Sequence, residues 1–367
     1  MDPNNSIMDF NIEDEYFEIN DNTSVLPDNI MVKILSELPW EDINTVKLIS
    51  RRFYGIVHQN YRRLERRKVQ KFLIKYNKYR KNYPFHLEIT LKNAENGSSP
   101  EIPICLGKIR NFKSIEELID FLKMFDMRDL EQFVVPVIDN IDIFIILERL
   151  FQIGTNIKTL IIPKIEEKDF RSFRRFIRKL VSVNWFFIGH LCAPSSGARD
   201  VYSLLSLSSI NNIKDFYISE CNKTKILSDD FVSKLLRNYP NIQSLLFEST
   251  NIEFLKSAFK EFFTVNQPRQ MESECNSCEI FLELYFCGPA EHLHNIFRNY
   301  LNELENVEEI DIQNYSYDTD VEEHDKVDEI AVFESYRDCK NCLNNRHAIR
   351  KDARLHKLGG SYEEINH

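Results

Sequence analysis

The stretch from Leu26 to Tyr61, LPDNIMVKILSELPWEDINTVKLISRRFYGIVHQNY, holds more apolar side chains than a piece of its size can hide. Pro27 suits the first turn of a helix, where no backbone N–H is needed. The first helix carries Ile30, Met31, Ile34, Leu35 and Leu38, and Pro39 stops it. A second, short helix carries Ile43, Val46 and Ile49, and a third, starting near Ser50, carries Phe53, Ile56 and Val57. Apolar positions cover more than one face of each. A three-helix unit of under about 40 residues cannot bury that much apolar surface by itself. What is left over must meet something else, either a partner or the rest of this chain.

The same residues resemble a known family. Leu26-Pro27, Ile30, Ile34-Leu35, Leu38-Pro39, the acidic pair Glu41-Asp42, then Ile43, Val46, Ile49-Ser50 and Arg52-Phe53 look like the F-box. Residues 24–61 are the expected F-box. The resemblance implies contact with the Skp-type adaptor of a cullin–RING ubiquitin ligase. The contact set expected from it is Leu26, Pro27, Ile30, Ile34, Leu35, Leu38, Ile43, Val46, Ile49 and Phe53, some of which must instead form the core of the module.

Charge is unevenly spread along the 367 residues, although the net value is only −10. Residues 1–25 carry seven acids and no bases, and 1–23 read as an acidic disordered tail. Residues 51–81 carry twelve bases against the single acid Glu65. Within 62–82, Val69, Phe72, Leu73 and Tyr76 recur at helical spacing, so this segment reads as a basic amphipathic helix. Its back face is most simply solvated. With Tyr61, Tyr76, Tyr79 and Tyr83 among the bases, it also admits binding of nucleic acid or an acidic ligand, the alternative function kept beside the ligase reading.

From residue 83 the pattern changes to short apolar strands separated by amphipathic helices. An apolar-x-x-apolar-x-apolar frame occurs at Leu130-Phe133-Val135, Ile157-Leu160-Ile162, Val183-Phe186-Ile188, Ile213-Phe216-Ile218 and Ile242-Leu245-Phe247. It recurs at Phe281-Leu284-Phe286, Val307-Ile310-Ile312 and Val327-Ile330-Val332. Helical patterns such as 143–151, 170–180, 231–239 and 254–263 lie between them. A strand and a helix every 20–30 residues resembles a leucine-rich repeat, which implies a parallel sheet with helices outside. The Asn or Cys expected three positions after each frame is found only at Cys221, so the array should be irregular. The fold class is therefore α/β: a three-helix module followed by a degenerate strand–helix solenoid over 83–335, with 336–367 as a C-terminal tail. An ordinary α/β sheet is the alternative. The order of domains is similar to that of the large F-box families of nematodes.

No run reaches the roughly 18 apolar residues of a membrane span, and the first residues lack the pattern of a signal peptide. A cytoplasmic or nuclear location is expected, with the eight cysteines as thiols. Cys275-x-x-Cys278 and Cys339-x-x-Cys342 have metal-like spacing, but about 60 residues separate them and they fall at opposite ends of strands, so no shared zinc site is expected. His292 and His294 do not share a helical face, and His190 sits at a strand end. No nucleophile elbow, phosphate loop or dinucleotide turn occurs. The expectation is a non-catalytic receptor subunit without cofactors or metal, which docks an adaptor at one end and an unidentified protein substrate at the other.

Overall fold

The apolar surplus of residues 26–61 resolves into three short helices in the computed structural model. The structure describes residues 26–80, 82–91, 107–138, 141–193, 200–221, 224–265, 278–286, 288–310, 328–338 and 348–357. The acidic segment 1–23 lies outside them. The chain divides into two compact units, Met1–Arg67 and Lys68–His367.

The first unit holds α1 (Asp28–Ser36), α2 (Trp40–Lys47) and α3 (Arg51–Asn60), closed by a short 3-10 turn over Tyr61–Arg63. Pro27 and Pro39 each stand one position before a helix, where a missing N–H costs nothing. Ser50 caps α3, accepting the N–H of Phe53 at 3.3 Å. The Arg52 guanidinium donates to the Asp28 carboxylate at 2.8 Å and to the Leu26 carbonyl, which ties the start of α3 to the start of α1.

The second unit is mixed α/β. Its strands are β1 (Arg67–Tyr76), β2 (Phe85–Leu91), β3 (Gly107–Phe112), β4 (Phe125–Asp126), β5 (Asp129–Val134), β6 (Thr155–Glu166) and β7 (Leu180–Cys192). There follow β8 (Asp215–Glu220), β9 (Ser244–Glu248), β10 (Cys278–Phe286), β11 (Val307–Ile310), β12 (Asp328–Asp338) and β13 (Ala348–Lys357). All join one sheet in the order β11-β12-β13-β10-β9-β8-β7-β6-β5-β1-β2-β3, with β4 against β1. The run from β1 through β5–β10 to β13 is parallel, and antiparallel strands finish both ends. Helices α4 (Ile115–Leu122), α5 (Ile143–Leu150), α6 (Phe170–Ile177), α7 (Val201–Leu204), α8 (Phe231–Asn238), α9 (Ile252–Thr264) and α10 (Ala290–Leu301) each bury side chains in one apolar cluster on one face of this sheet.

The first five repeat frames stand in register. Phe133, Leu160, Phe186, Phe216 and Leu245 are successive neighbours across the sheet, all buried beneath the helices. Rings continue the contact upward, Phe231 on Phe216 and Phe254 on Phe247. The sixth frame is two residues out of phase, because Leu245 pairs with Leu282 and not Leu284. The last two frames are no continuation of the array: β11 and β12 run antiparallel to each other. Ile312 and Val327 lie outside the described residues.

A polar ladder does run along the array, but at the other end of the strands. Asn156 donates to Asp129 at 3.0 Å, Ser182 to Asn156 at 2.8 Å, and Asn212 to Asn184 at 3.1 Å. Asp129, Asn156, Ser182, Asn212 and Asn241 each stand one residue before the first apolar position of a frame.

Three expectations are corrected. The segment 62–82 is not a helix: its apolar residues lie on β1, with Phe72 and Ile74 buried and Leu73 on the opposite face. A one-residue bulge between Val69 and Lys71 turns Val69 to the side of Phe72, which imitates the helical i, i+3 spacing. The tail beginning at 336 is not separate, because β12 reaches Asp338 and β13 inserts between β10 and β12. There Ala353 and Leu355 alternate with Arg350, Asp352 and Arg354, and buried Lys351 donates to the carbonyls of Phe262 and Val265 at the end of α9. Finally, Cys192 and Cys221 form a disulfide between the ends of β7 and β8, not two thiols.

Buried Glu220, at the end of β8, accepts the N–H groups of Ile226 and Leu227 at 2.7 and 2.9 Å and the Ser249 hydroxyl. Burial pushes its carboxyl above the usual carboxylate range. Glu220→Ala strands those donors and should lower the unfolding free energy in urea by about 1–3 kcal/mol, with a smaller loss for Glu220→Gln. Because the folded state holds this proton more tightly, the group's contribution is complete at low pH and is lost as pH rises through the raised value. The stability advantage of the native protein over Glu220→Gln should therefore shrink from pH 4 to pH 7; an advantage that grows would contradict the account.

Candidate docking surfaces

The first unit sorts its apolar residues into two sets. Leu35, only 2% exposed, is buried with Ile43 and Phe53, as are Met31, Val32, Ile56 and Val57. These belong to the core, so three members of the expected contact set cannot reach a partner. Leu26, Pro27, Ile30, Ile34 and Ile49 are exposed, and Leu38 and Val46 are half-buried. Ile30 and Ile34, one helical turn apart, extend a stripe that begins at Leu26 and Pro27. Met31 and Leu35 form the parallel stripe that turns inward. Ile34 keeps 48% of its surface exposed, and Leu48, which the sequence reading left out, keeps 77%. Apolar pairs one turn apart, Ile30-Met31 and Ile34-Leu35, were the available sign that α1 has a second apolar side.

The basic stretch 51–81 is shared between the two units, which meet in it at Arg67 and Lys68. Arg52 is engaged by Asp28, and Lys75 on β1 pairs with Glu88 on β2 at 2.7 Å. Of the four tyrosines, Tyr61 is buried and Tyr76 packs on Phe85 at 5.2 Å, which leaves Tyr79 and Tyr83 exposed. Arg51 and Arg52 stand on α3, Arg62 and Arg63 on the turn after it, and Arg67, Lys68, Lys71 and Lys75 on β1, whose side chains alternate between faces, while Lys81 lies outside the described residues.

The second unit has its own candidate surface, the sheet face turned away from the helices. Val134, Ile161, Phe187, Tyr217 and Leu246 are register neighbours there on five successive strands, each half-buried. Phe187 and Tyr217 stack at 4.2 Å, and Trp185, 43% exposed, stands beside them. Gly189 permits close approach of β6 and β7, since a Cβ there would lie 2.7 Å from the Pro163 carbonyl. Past Leu246 the row turns polar, with Glu283 and then Arg354. The Tyr217 phenol donates to Glu248 at 2.9 Å and the Tyr285 phenol to Glu283 at 2.6 Å. Burial, reinforced by these carboxylates, raises both phenols above their ordinary range. Tyr285 also stacks on His356 at 4.7 Å, and burial lowers that imidazole.

Of the other sequence candidates, Cys275, Cys339 and Cys342 lie outside the described residues. His294 bonds Glu309 at 2.7 Å, while His292 is exposed and His190 half-buried on β7. Among the described residues no three His, Cys, Asp or Glu side chains are grouped to hold a metal ion, and no helix is long and apolar enough to cross a membrane.

The split within α1 gives a direct comparison. Leu35→Ala should cost about 2–5 kcal/mol of the first unit's stability, as core truncations do. Ile34→Ala, one residue earlier, should stay within about 1 kcal/mol in the same urea titration. Equal losses would mean that Ile34 is not a surface residue.

No protein-family model matches this sequence, and no curated protein matches it either.

Proposed function

We infer that the chain is the substrate-recognition subunit of a ubiquitin ligase of the Skp–cullin–F-box type. The observation that carries this reading is the outer stripe of α1, Leu26, Pro27, Ile30 and Ile34, left exposed while Leu35, Ile43 and Phe53 supply the core. An apolar stripe on so small a unit is best explained by a partner, and the F-box wording of residues 24–61 supplies its class, a Skp-type adaptor. Covering about four large side chains is worth on the order of 6–12 kcal/mol gross. Association removes roughly 4–15 kcal/mol of such gains, so moderate affinity is expected.

The second unit is read as an irregular, leucine-rich-repeat-like array that holds the target. Its support is the strand–helix alternation, the common register of five frames and the polar ladder beside them. On this reading the chain performs no chemistry itself. It raises the effective concentration of a bound protein near a transfer site elsewhere in the complex.

Ile30→Glu combined with Ile34→Glu places charges on the outer stripe while leaving the core residues in place. Recovery of a Skp-type adaptor with the tagged full chain should fall at least about tenfold, as expected for buried unpaired charge at an interface, with an unchanged circular dichroism spectrum. Undiminished recovery by a folded double variant would remove the adaptor reading.

A further inference from the structure

The open face of the sheet ends its apolar row against an uncompensated carboxylate. Glu248 follows Leu246 by two residues on β9, so it projects to the same face, and its register neighbours are Ser219 on β8 and Tyr285 on β10. Its hydrogen-bond donor is the neutral phenol of Tyr217. Among the described residues Glu248 has no Lys, Arg or His ion pair. Glu283, one strand over, contacts only His356 as an ion partner among those residues, at 3.8 Å, and burial lowers that imidazole. Arg354, opposite Glu283 in register, is drawn to Asp352 at 3.5 Å. Asp215 adds a third acid on the same face of β8.

Two further features point to what belongs there. Ser219 is 1% exposed and stands beside Glu248, and its hydroxyl makes no well-formed hydrogen bond, only a looser polar contact with the Tyr217 phenol. A buried hydroxyl left this way calls for a donor or acceptor from outside. The rings of Tyr217 and Tyr285 lie next to Glu248, with Phe187 stacked on Tyr217, and aromatic faces attract cations. Carboxylate, under-satisfied hydroxyl and ring faces together suit a group that is cationic, rich in N–H donors and carried on an apolar stem.

We propose that the open face binds a segment of a protein target that presents an arginine or lysine next to apolar side chains. The cation sits at Glu248 and donates to its carboxylate and to the Ser219 hydroxyl. The apolar side chains lie along Leu246, Phe187, Ile161 and Val134. Charge complementarity selects this occupant, since an acidic or purely apolar segment would leave Glu248 unpaired in a partly dried site. The inference rests on reading the second unit as the target-holding part and is independent of the adaptor contact.

The test uses the full chain and short capped fluorescent peptides in which a central Arg, Lys, Gln or Glu lies between leucine and phenylalanine. Polarisation titrations should give Arg or Lys peptides at least about tenfold tighter binding than the Gln peptide, and the Glu peptide the weakest. Glu248→Gln, which still accepts from Tyr217, should erase most of that preference without shifting the melting temperature. Ile30→Glu with Ile34→Glu should leave peptide binding unchanged, so this inference and the adaptor reading fail separately. Equal binding of the four peptides, no binding of any, or an undiminished cation preference in Glu248→Gln would overturn the proposal.

Discussion

A unit of three short helices has room to hide one apolar stripe of its first helix, and α1 carries two. Met31 and Leu35 fill the inner one, and Ile30 and Ile34, displaced by one residue each, are left on the outer. The Arg52 contacts to Asp28 and Leu26 fix the beginning of α1 to α3, so the outer stripe is presented on a held element and not on a frayed end. Everything functional that is drawn from this unit follows from that surplus. Remove it, and residues 26–61 become an ordinary helical cap.

The second unit obeys a complementary rule. Each strand offers side chains to two faces, and one face is closed by α4 to α10 with phenylalanines from strands and helices in mutual contact. Glycine is scarce, at nine residues, and the close approach at Gly189 is one place where the sheet needs it. On the open face the composition changes across the sheet, from aliphatic and aromatic over β5 to β9 toward acids, arginines and His356 at β10 and β13. No described helix covers this face, and on the proposal above the gradient is what would select one protein segment over another.

Much of this was legible in the sequence, because burial on one face imposes periodicity. The helices of the first unit fall where Pro27, Pro39 and Ser50 start them, and five of eight frames mark true register neighbours. What was not legible has physical causes. The bulge at Val69 and Lys71 gives a strand the spacing of a helix. In β13 the charges of Arg350 and Arg354 converge on buried Asp352, so a paired strand looks like a polar tail. The polar ladder sits near the start of the strands, where Asn156, Ser182 and Asn212 precede the first apolar residue of each frame, and not after the last one. Which of Ile34 and Leu35 faces inward depends on how α1 is rotated, and adjacent apolar residues on a helix do not reveal that.

The central claim is that the outer stripe of α1 is a docking face. Isothermal titration of the full chain with a purified Skp-type adaptor, repeated at three temperatures, addresses it without any substitution. The account predicts saturable binding in the micromolar range or tighter, with an enthalpy that becomes more favourable on heating, the sign of apolar surface leaving water. Absence of binding, or binding whose enthalpy does not change with temperature, would contradict it.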